Sequence, residues 1–293
     1  MDQNPNDGPT FNTRDVRRRA DDAAASFDSA DFVHTVTRDG LLERMRPLVI
    51  EPARILDLGA ATGSAAAGLR KRFGSAHLVS LDLSLNMLRQ AKRKRPWLSR
   101  ARSSFVQADA ARLPIEDGSI DLVFSNLLLP FAGHPQPVFE QVARVLRKDG
   151  VFAFATLGPD SLLELRRAWG HVDEQAHVSQ FPDMHDVGDG LVAAGLRDPV
   201  LDVDRLTLEY DDVTRLFSDL RDVGARNTLQ QRRRSLLGRG SFAKMQSALA
   251  GASEDGRIRL ELELVYGHCW GGGPRMDPTN YMIDASRIPR RRG

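Results

Sequence analysis

The chain has few of the features that mark secreted or membrane-spanning proteins. Its 293 residues include a single cysteine, Cys269, so no disulfide can form within the chain, and this usage suits a reducing compartment. No run of about 18 consecutive apolar residues occurs, so the sequence predicts no transmembrane helix. The stretch "MDQNPNDGPTFNTRD" is polar and lacks the apolar segment of a secretory signal. We therefore expect a cytoplasmic protein that does not associate with a membrane.

A strong excess of charge of one sign is also absent. The formal net charge is +2, which is too small to indicate a nucleic-acid partner, and no RNA- or DNA-binding motif accompanies it. The basic residues do cluster, at 16–19, 92–95 and 231–235 and in the tail "IPRRRG". These clusters are either solvated helix faces or a docking surface for an acidic partner.

Apolar strands alternate with helical segments through the first half of the chain. The helix predicted over 135–150 carries its apolar side chains on one face and ends at Asp149 and Gly150. Such alternation is typical of βαβ units, so it predicts an α/β fold with a parallel, buried sheet. The predicted strands lie at 54–58, 76–83, 103–109, 120–129 and 151–157.

The second half has a different pattern. A helix ends at Gly195, an alternating strand covers 200–210, and a further helix ends at Gly224. Residues 257–270 alternate apolar and charged side chains, as an antiparallel edge strand with one solvated face does. These two strands flank a helical insertion, which we expect to act as a lid.

The whole chain is expected to consist of five parts. They are a disordered tail at 1–12, a helical cap at 13–50, a ligand-binding core at 51–160, the remaining strands with the lid (about 211–256) at 161–285, and a basic tail at 286–293.

The stretch "RILDLGAATGSAAAGL" runs from a strand through a glycine loop into a helix. A dinucleotide-binding loop starting at Gly59 would need glycines two and five residues later, where this chain has Ala61 and Ser64. A P-loop would need a Gly-Lys-Ser/Thr sequence, which the stretch lacks. Asp57, Gly59 and Gly63 instead form the D-x-G-x-x-x-G pattern of enzymes that bind S-adenosylmethionine.

Polar residues stand near the ends of four predicted strands. They are Asp57, Asp82, Asp109 and Asn126. Ligands of open parallel sheets bind beyond the carboxyl ends of the strands, and an acidic residue after the second strand can accept both hydroxyls of a ribose. The four side chains therefore predict one nucleoside-binding site.

Five motifs resemble those of class I S-adenosylmethionine-dependent methyltransferases: "ILDLGAATG", "LDLSLNML", "FVQADAARLP", "IDLVFSNLLLPF" and "VLRKDGVFAFATLG". The resemblance covers about residues 20–160. It implies a Rossmann-like, mostly parallel seven-stranded sheet with an antiparallel last strand, and S-adenosyl-L-methionine as the cofactor. The cofactor residues that it implies are Asp57, Gly59, Ala61 and Gly63 around the methionine, Asp82 at the ribose, Leu83, Met87, Asp109 and Ala110 at the adenine, and Asn126 near the sulfonium.

Motifs of the second half are similar to those of malonyl-acyl-carrier-protein O-methyltransferases, which act in biotin synthesis. They are "TLGPDSLLELRRAW", "HVSQFPDMHDVGDGLVAAGL", "DLRDVGARN" and "VYGHCW". The likeness implies methylation of the free carboxylate of malonyl-acyl carrier protein, which needs no general base because the carboxylate is ionised at neutral pH. The chain departs from the family at Ala61, where a glycine is common, and at Phe27, where a tyrosine is common.

Two alternatives stay open on the sequence alone. The same motifs resemble a mitochondrial complex I assembly factor that keeps the methyltransferase fold and hydroxylates an arginine of a partner subunit. A non-catalytic, S-adenosylmethionine-binding assembly factor would carry the same cofactor motifs. Fold therefore does not decide between these functions.

The resemblance leaves the substrate side to a few candidate side chains. Arg221 can form two hydrogen bonds to a carboxylate, and His177 and Asn227 can hydrogen-bond the acyl group. Each of these side chains can instead have a purely structural role. Phe27 and Phe181 can exclude water. No histidine or cysteine set has metal-ligand spacing, so we expect no metal site. The candidate docking residues for an acidic carrier are Arg166, Arg167, Arg232, Arg233 and Arg234.

Overall fold

The computed structural model describes residues 11–95, 102–232, 238–251 and 256–272. The expected tail at 286–293, most of the tail at 1–12, and Arg233 and Arg234 lie outside these ranges. The strands of the sheet are β1 (Arg54–Leu58), β2 (His77–Asp82), β3 (Ser103–Gln107), β4 (Ile120–Asn126), β5 (Leu146–Leu157), β6 (Leu196–Tyr210) and β7 (Ile258–Gly271).

The seven strands form one sheet in the order β3-β2-β1-β4-β5-β7-β6. Strands β1 to β5 pair in parallel, and β7 runs antiparallel to both of its neighbours, β5 and β6. The predicted class I methyltransferase topology is thus confirmed. The helices are α1 (Thr13–Ala23), α2 (Phe27–Ala30), α3 (Phe32–Arg44), α4 (Ala66–Arg72), α5 (Leu85–Lys94), α6 (Gln136–Val145), α7 (Leu163–Gly170), α8 (Met184–Ala193), α9 (Val213–Asp222) and α10 (Arg239–Ala250).

The central strands are buried on both faces, which explains their continuous apolar sequences. Successive residues of β4 belong to different apolar clusters: Val123 packs with Phe152 and the inner face of α6, whereas Phe124 packs with Leu41 of α3. Alternate side chains of a strand point to opposite faces, so one apolar run fills two cores. Because β1 pairs in parallel with both β2 and β4, the carboxyl ends of these three strands lie on the same side of the sheet.

The expectation that residues 257–270 form an edge strand is wrong. Strand β7 lies between β5 and β6, and β6 is the edge strand. The alternation of apolar and charged residues is genuine, but it belongs to the part of β7 before Leu264, which pairs with β6 alone. From Leu264 to Gly267 the strand also pairs with β5, and every residue there is buried.

Several boundaries also differ from the sequence-based expectation. The strand expected at 120–129 ends at Asn126, and the strand expected at 103–109 ends at Gln107. Helix α6 ends at Val145, and β5 begins at Leu146, so Asp149 and Gly150 lie inside a strand instead of ending a helix. Between the pairs Ile120–Leu146 and Leu122–Val151, β5 has four residues where β4 has one, and Asp149 has a φ of 61°, so the Asp-Gly pair lies in an irregular stretch of the strand. Strand β6 similarly starts at Leu196, with a register irregularity before Val200.

The N-terminal helices and the insertion between β6 and β7 meet over the carboxyl ends of the parallel strands. Asn126, at the end of β4, donates from Nδ2 to the carbonyl of His34 in α3, at 2.9 Å. Gly224 ends the turn after α9 with a φ of 77°, and a Cβ there would lie 3.2 Å from the carbonyl oxygen of Arg19 in α1. Within the described ranges, no helix is long and apolar enough to cross a membrane.

Candidate active site

Two adjoining cavities open beyond the carboxyl ends of the strands. The larger, which we call the polar cavity, has a volume of about 1170 Å³ and is lined by strand-end and loop residues. The smaller, the apolar cavity, has a volume of about 320 Å³ and lies under α9 and α7. Their shared wall consists of Phe11, His34, Leu127, Phe131, Val223 and Thr228. The two cavities are therefore direct neighbours.

Most of the residues expected to hold the cofactor line the polar cavity. The exceptions are Asp57, which is buried, and Gly63. The sheet brings the others together since the ends of β1, β2 and β4 are adjacent and the loop after β3 lies beside them. The lining residues are Gly59, Ala61, Asp82, Leu83, Met87, Asp109, Ala110 and Asn126.

The loop after β1 takes a left-handed backbone conformation three times. Gly59, Ala61 and Gly63 have φ values of 78°, 45° and 77°. A Cβ at Gly63 would lie 2.9 Å from the Cβ of Ala91, so this glycine permits the packing of α5 against the loop. The left-handed conformation costs Ala61 about 1–2 kcal/mol, and a hydrogen bond of 2.9 Å from its N–H to Asp82 Oδ2 helps to hold it. The alanine is therefore accommodated in the loop.

Two carboxyl groups lie close together beneath this loop. Asp82 accepts hydrogen bonds from the N–H groups of Ala61 and Ser84, at 2.9 and 2.8 Å, and burial raises its pKa. Asp57 is buried, and its Oδ2 has no hydrogen-bond partner among the described residues. Burial, with the nearby charge of Asp82, raises the pKa of Asp57 from 3.8 to about 7. A cationic ligand would favour the ionised form of both groups.

Asn126 supplies a further unused acceptor. Its Nδ2 is committed to the His34 carbonyl, whereas Oδ1 is buried without a partner. Unpaired buried acceptors cost free energy unless a ligand satisfies them. Asp57, Asp82 and Asn126 therefore fit a ligand that carries positive charge, hydroxyl groups and N–H donors. S-adenosylmethionine has all three.

Two of the expected substrate residues line the apolar cavity, and each already has a hydrogen bond within the protein. His177 stacks on Trp169, with ring centroids 4.0 Å apart, and its Nε2 lies 2.7 Å from Asp173 Oδ1. Asn227 donates to the carbonyl of Ala176 at 2.8 Å and accepts from the N–H of Leu229 at 3.0 Å. Both side chains thus build the wall of the cavity.

Arg221 does not reach either cavity. The inward face of α9 carries Leu216 and Leu220, which line the apolar cavity. Arg221 lies on the outer face, is exposed, and donates to Ser218 Oγ at 2.9 Å. The guanidinium expected to hold the substrate carboxylate therefore points away from the site.

Several lining residues were not identified from the sequence. His34 is the most informative, because it lines both cavities, and no motif marks it. Its position depends on how α3 crosses the end of β4, which local pattern does not encode. The two aromatic residues expected to exclude water both line a cavity: Phe27 lines the polar cavity and Phe181 lines the apolar one.

The sequence is similar to named proteins over nearly its whole length. Residues 56–154 match the family model described as "Methyltransferase domain". The malonyl-[acyl-carrier protein] O-methyltransferase of Halorhodospira halophila is 41% identical over 295 residues, which cover 99% of each chain. The protein of the same name from Laribacter hongkongensis is 41% identical over 279 residues and 93% of each chain.

Solved structures agree on the fold. The YcgJ protein of Bacillus subtilis superposes with a TM-score of 0.59 over 79% of this chain and 98% of its own, at 17% identity. The names of the two relatives do not support the arginine-hydroxylase alternative or the non-catalytic assembly-factor alternative. Given the identity and coverage of those relatives, the chain belongs to the malonyl-[acyl-carrier protein] O-methyltransferase family of S-adenosylmethionine-dependent methyltransferases.

Proposed function

We propose that the protein transfers a methyl group from S-adenosylmethionine to the free carboxylate of malonyl-acyl carrier protein, in the cytoplasm, for biotin precursor synthesis. The observation that carries the proposal is the shared wall between a polar cavity suited to the cofactor and an apolar cavity suited to an acyl chain. Near full-length identity to two enzymes named for this substrate supports it.

The residues of the polar cavity have distinct roles in this proposal. Asp82 accepts the ribose hydroxyls with the lone pairs that its backbone hydrogen bonds leave free, as acidic residues at this position of related folds do. Leu83 and Met87 contact the adenine face, and Asp109 lies at the adenine edge. Asp57, which is buried, acts as a countercharge to the cationic methionine end.

The methyl transfer requires that the carboxylate is aligned with the methyl group and that water is excluded from the site, and it requires no proton transfer. When bound, the cofactor supplies an electrophilic methyl group on a cationic sulfur. The malonyl carboxylate is ionised near neutral pH and loses its charge as it gains the methyl group, so no proton is taken up or released. Phe27, Leu127 and Phe131 line the space where this charge is lost, and by excluding water they favour the less polar transition state.

The carrier docks at the rim near α1 and the turn after α9. Arg226 lines the apolar cavity, and Arg19 stands on the face of α1 that Gly224 contacts. Neither side chain has a hydrogen bond or an ion pair within the described ranges. Burial, and the charge of Arg226, lower the pKa of Arg19. Two guanidiniums so placed favour an anionic partner such as the phosphate-linked arm of an acidic carrier.

Other arginines considered for docking are less available. Arg166 donates to the Ser179 carbonyl at 2.9 Å, and its Nε is buried without a partner. Arg232 forms an ion pair with Asp15. Arg167 is exposed and can contribute to long-range attraction of the carrier.

Intact-mass spectrometry of the carrier tests the proposal. Malonyl-acyl carrier protein incubated with the protein and S-adenosylmethionine should gain the mass of one methylene group, because the free carboxylate becomes a methyl ester. The acetyl form, which has no free carboxylate, is the control and should not change. An unchanged malonyl carrier from folded, cofactor-binding protein would contradict the proposal.

A further inference from the structure

His34 stands where the two cavities meet. It lies in the first turn of α3, and its side chain lines both cavities. Its ring packs against Phe27, with centroids 4.9 Å apart at an interplanar angle of 59°. The hydrogen bond from Asn126 to the His34 carbonyl fixes this turn over the end of β4. The position of the imidazole is thus set by two contacts that do not use its nitrogens.

The imidazole has unused hydrogen-bonding capacity. Nδ1 is buried without a partner, and neither ring nitrogen has a hydrogen bond within the described part of the chain. Burial lowers the pKa of His34 to about 4, so the ring is neutral at pH 7 and has one N–H donor and one acceptor. A phenylalanine would fill the same space without leaving polar atoms unpaired. The protein therefore keeps a polar ring beside two cavities, where a bound ligand can satisfy it.

We propose that His34 is a substrate-binding residue that donates its imidazole N–H to the malonyl carboxylate at the junction of the two cavities. This assignment rests on the proposed methyl transfer. It also fills the role that Arg221 cannot take, since that side chain lies on the outer face of α9.

A neutral donor suits this acceptor better than a cation does. A guanidinium would bind the charged carboxylate more strongly before the reaction than after its charge is lost, and such ground-state stabilisation raises the barrier. A neutral N–H orients one carboxylate oxygen and stabilises the charged ground state less, so it raises the barrier less. The proposal therefore makes His34 a determinant of acceptor orientation and of preference for a free carboxylate.

Steady-state kinetics of three variants tests this role. His34→Phe should keep its affinity for S-adenosylhomocysteine within about threefold, yet lower kcat/KM for malonyl-acyl carrier protein about tenfold or more, because it loses a hydrogen bond to a charged group. His34→Gln, which retains an N–H donor, should recover most of that loss. His185→Phe changes an exposed histidine outside both cavities and should match the wild type.

The outcomes separate the two proposals. If the wild type methylates the carrier and His34→Phe does so with unchanged kcat and KM, the role of His34 is refuted while the proposed function stands. If both His34 variants lose cofactor affinity together with activity, His34 serves packing, and its assignment is again refuted. A wild type that binds S-adenosylhomocysteine but methylates no carrier refutes the proposed function itself.

Discussion

The pKa of Asp57 differs between the folded and the unfolded protein. Its pKa of about 7 in the folded chain lies above the ordinary 3.8, so the folded state holds a proton between these values that the unfolded state has released. The stability that this proton provides is full below about pH 4 and is lost as pH rises towards 7. The protein thus keeps a destabilising carboxylate at neutral pH, which a cationic ligand would relieve.

Asp57→Asn should therefore separate stability from cofactor binding. At pH 8 we expect the free energy of unfolding of the variant to exceed that of the wild type by about 1–4 kcal/mol. At pH 5 the difference in unfolding free energy should be smaller. Its affinity for S-adenosylmethionine should fall at both values. Urea titrations at the two pH values and calorimetric binding measure these effects. An equal stability difference at pH 5 and pH 8 would contradict the raised pKa.

The loop after β1 gives a second residue-scale prediction. Gly63→Ala places a Cβ 2.9 Å from Ala91 at a φ of 77°, and we expect it to lower the unfolding free energy by about 1–3 kcal/mol. Ala61→Gly relaxes a left-handed residue but adds freedom to the unfolded chain, so the net change should stay within about 1 kcal/mol. Denaturant titration compares the pair. A Gly63→Ala variant as stable as the wild type would refute the packing role given to this glycine.

Residues at strand ends could be predicted from sequence because parallel strands share one carboxyl edge. Asp82, Asp109 and Asn126 all reach the polar cavity for this reason. The positions of Arg221 and His34 could not be predicted in this way. Which face of α9 turns inward, and where α3 crosses β4, depend on packing between elements far apart in the chain.

At the scale of elements, the N-terminal helices hold the cofactor loop through a small polar cluster. Thr62 donates to Asp28 Oδ1 at 2.5 Å, and Lys94 of α5 donates to Thr62 at 2.9 Å and pairs with Asp28 at 2.6 Å. Thr62 is fully buried, so these bonds fix the loop between α2 and α5. The helical cap thus takes part in forming the polar cavity.

Asp28→Ala should loosen this loop. We expect the affinity for S-adenosylhomocysteine to fall about three- to tenfold and amide exchange at residues 59–63 to speed up, since the buried Thr62 hydroxyl loses its acceptor. Asp39→Ala removes a carboxylate that pairs with Arg38 elsewhere on the cap and is the matched control. Calorimetry and hydrogen exchange give both readouts. Unchanged exchange in the loop would show that the cluster does not hold it.

The order of the strands illustrates what sequence pattern encodes at this scale. The continuous apolar sequences of β1 and β4 predicted a buried parallel sheet, and the structure confirms it. The alternation within β7 was real, but it came from its first half alone, which pairs only with β6. The pattern of apolar and charged residues indicates which faces of a strand are buried, but it does not indicate which strands lie beside it. The prediction that β7 is an edge strand was therefore wrong.

At the scale of the whole molecule, docking of an acidic carrier should make catalysis sensitive to salt. We expect kcat/KM for malonyl-acyl carrier protein to fall as ionic strength rises, because screening weakens the attraction between the partners. Arg226→Gln should raise KM about three- to tenfold and flatten the salt dependence, with kcat nearly unchanged. Arg239→Gln, at the start of α10, is a control that should keep the wild-type response. Equal salt dependence of Arg226→Gln and the wild type would refute docking at this rim.

The central claim is that a carboxylate held beside the polar cavity accepts the methyl group. Its most direct test is the transfer of labelled methyl from S-adenosylmethionine to malonyl-acyl carrier protein, with the acetyl form in parallel. The account predicts label on the malonyl form alone, since only that form presents a free carboxylate. Label on both forms, or on neither with folded and cofactor-bound protein, would contradict it.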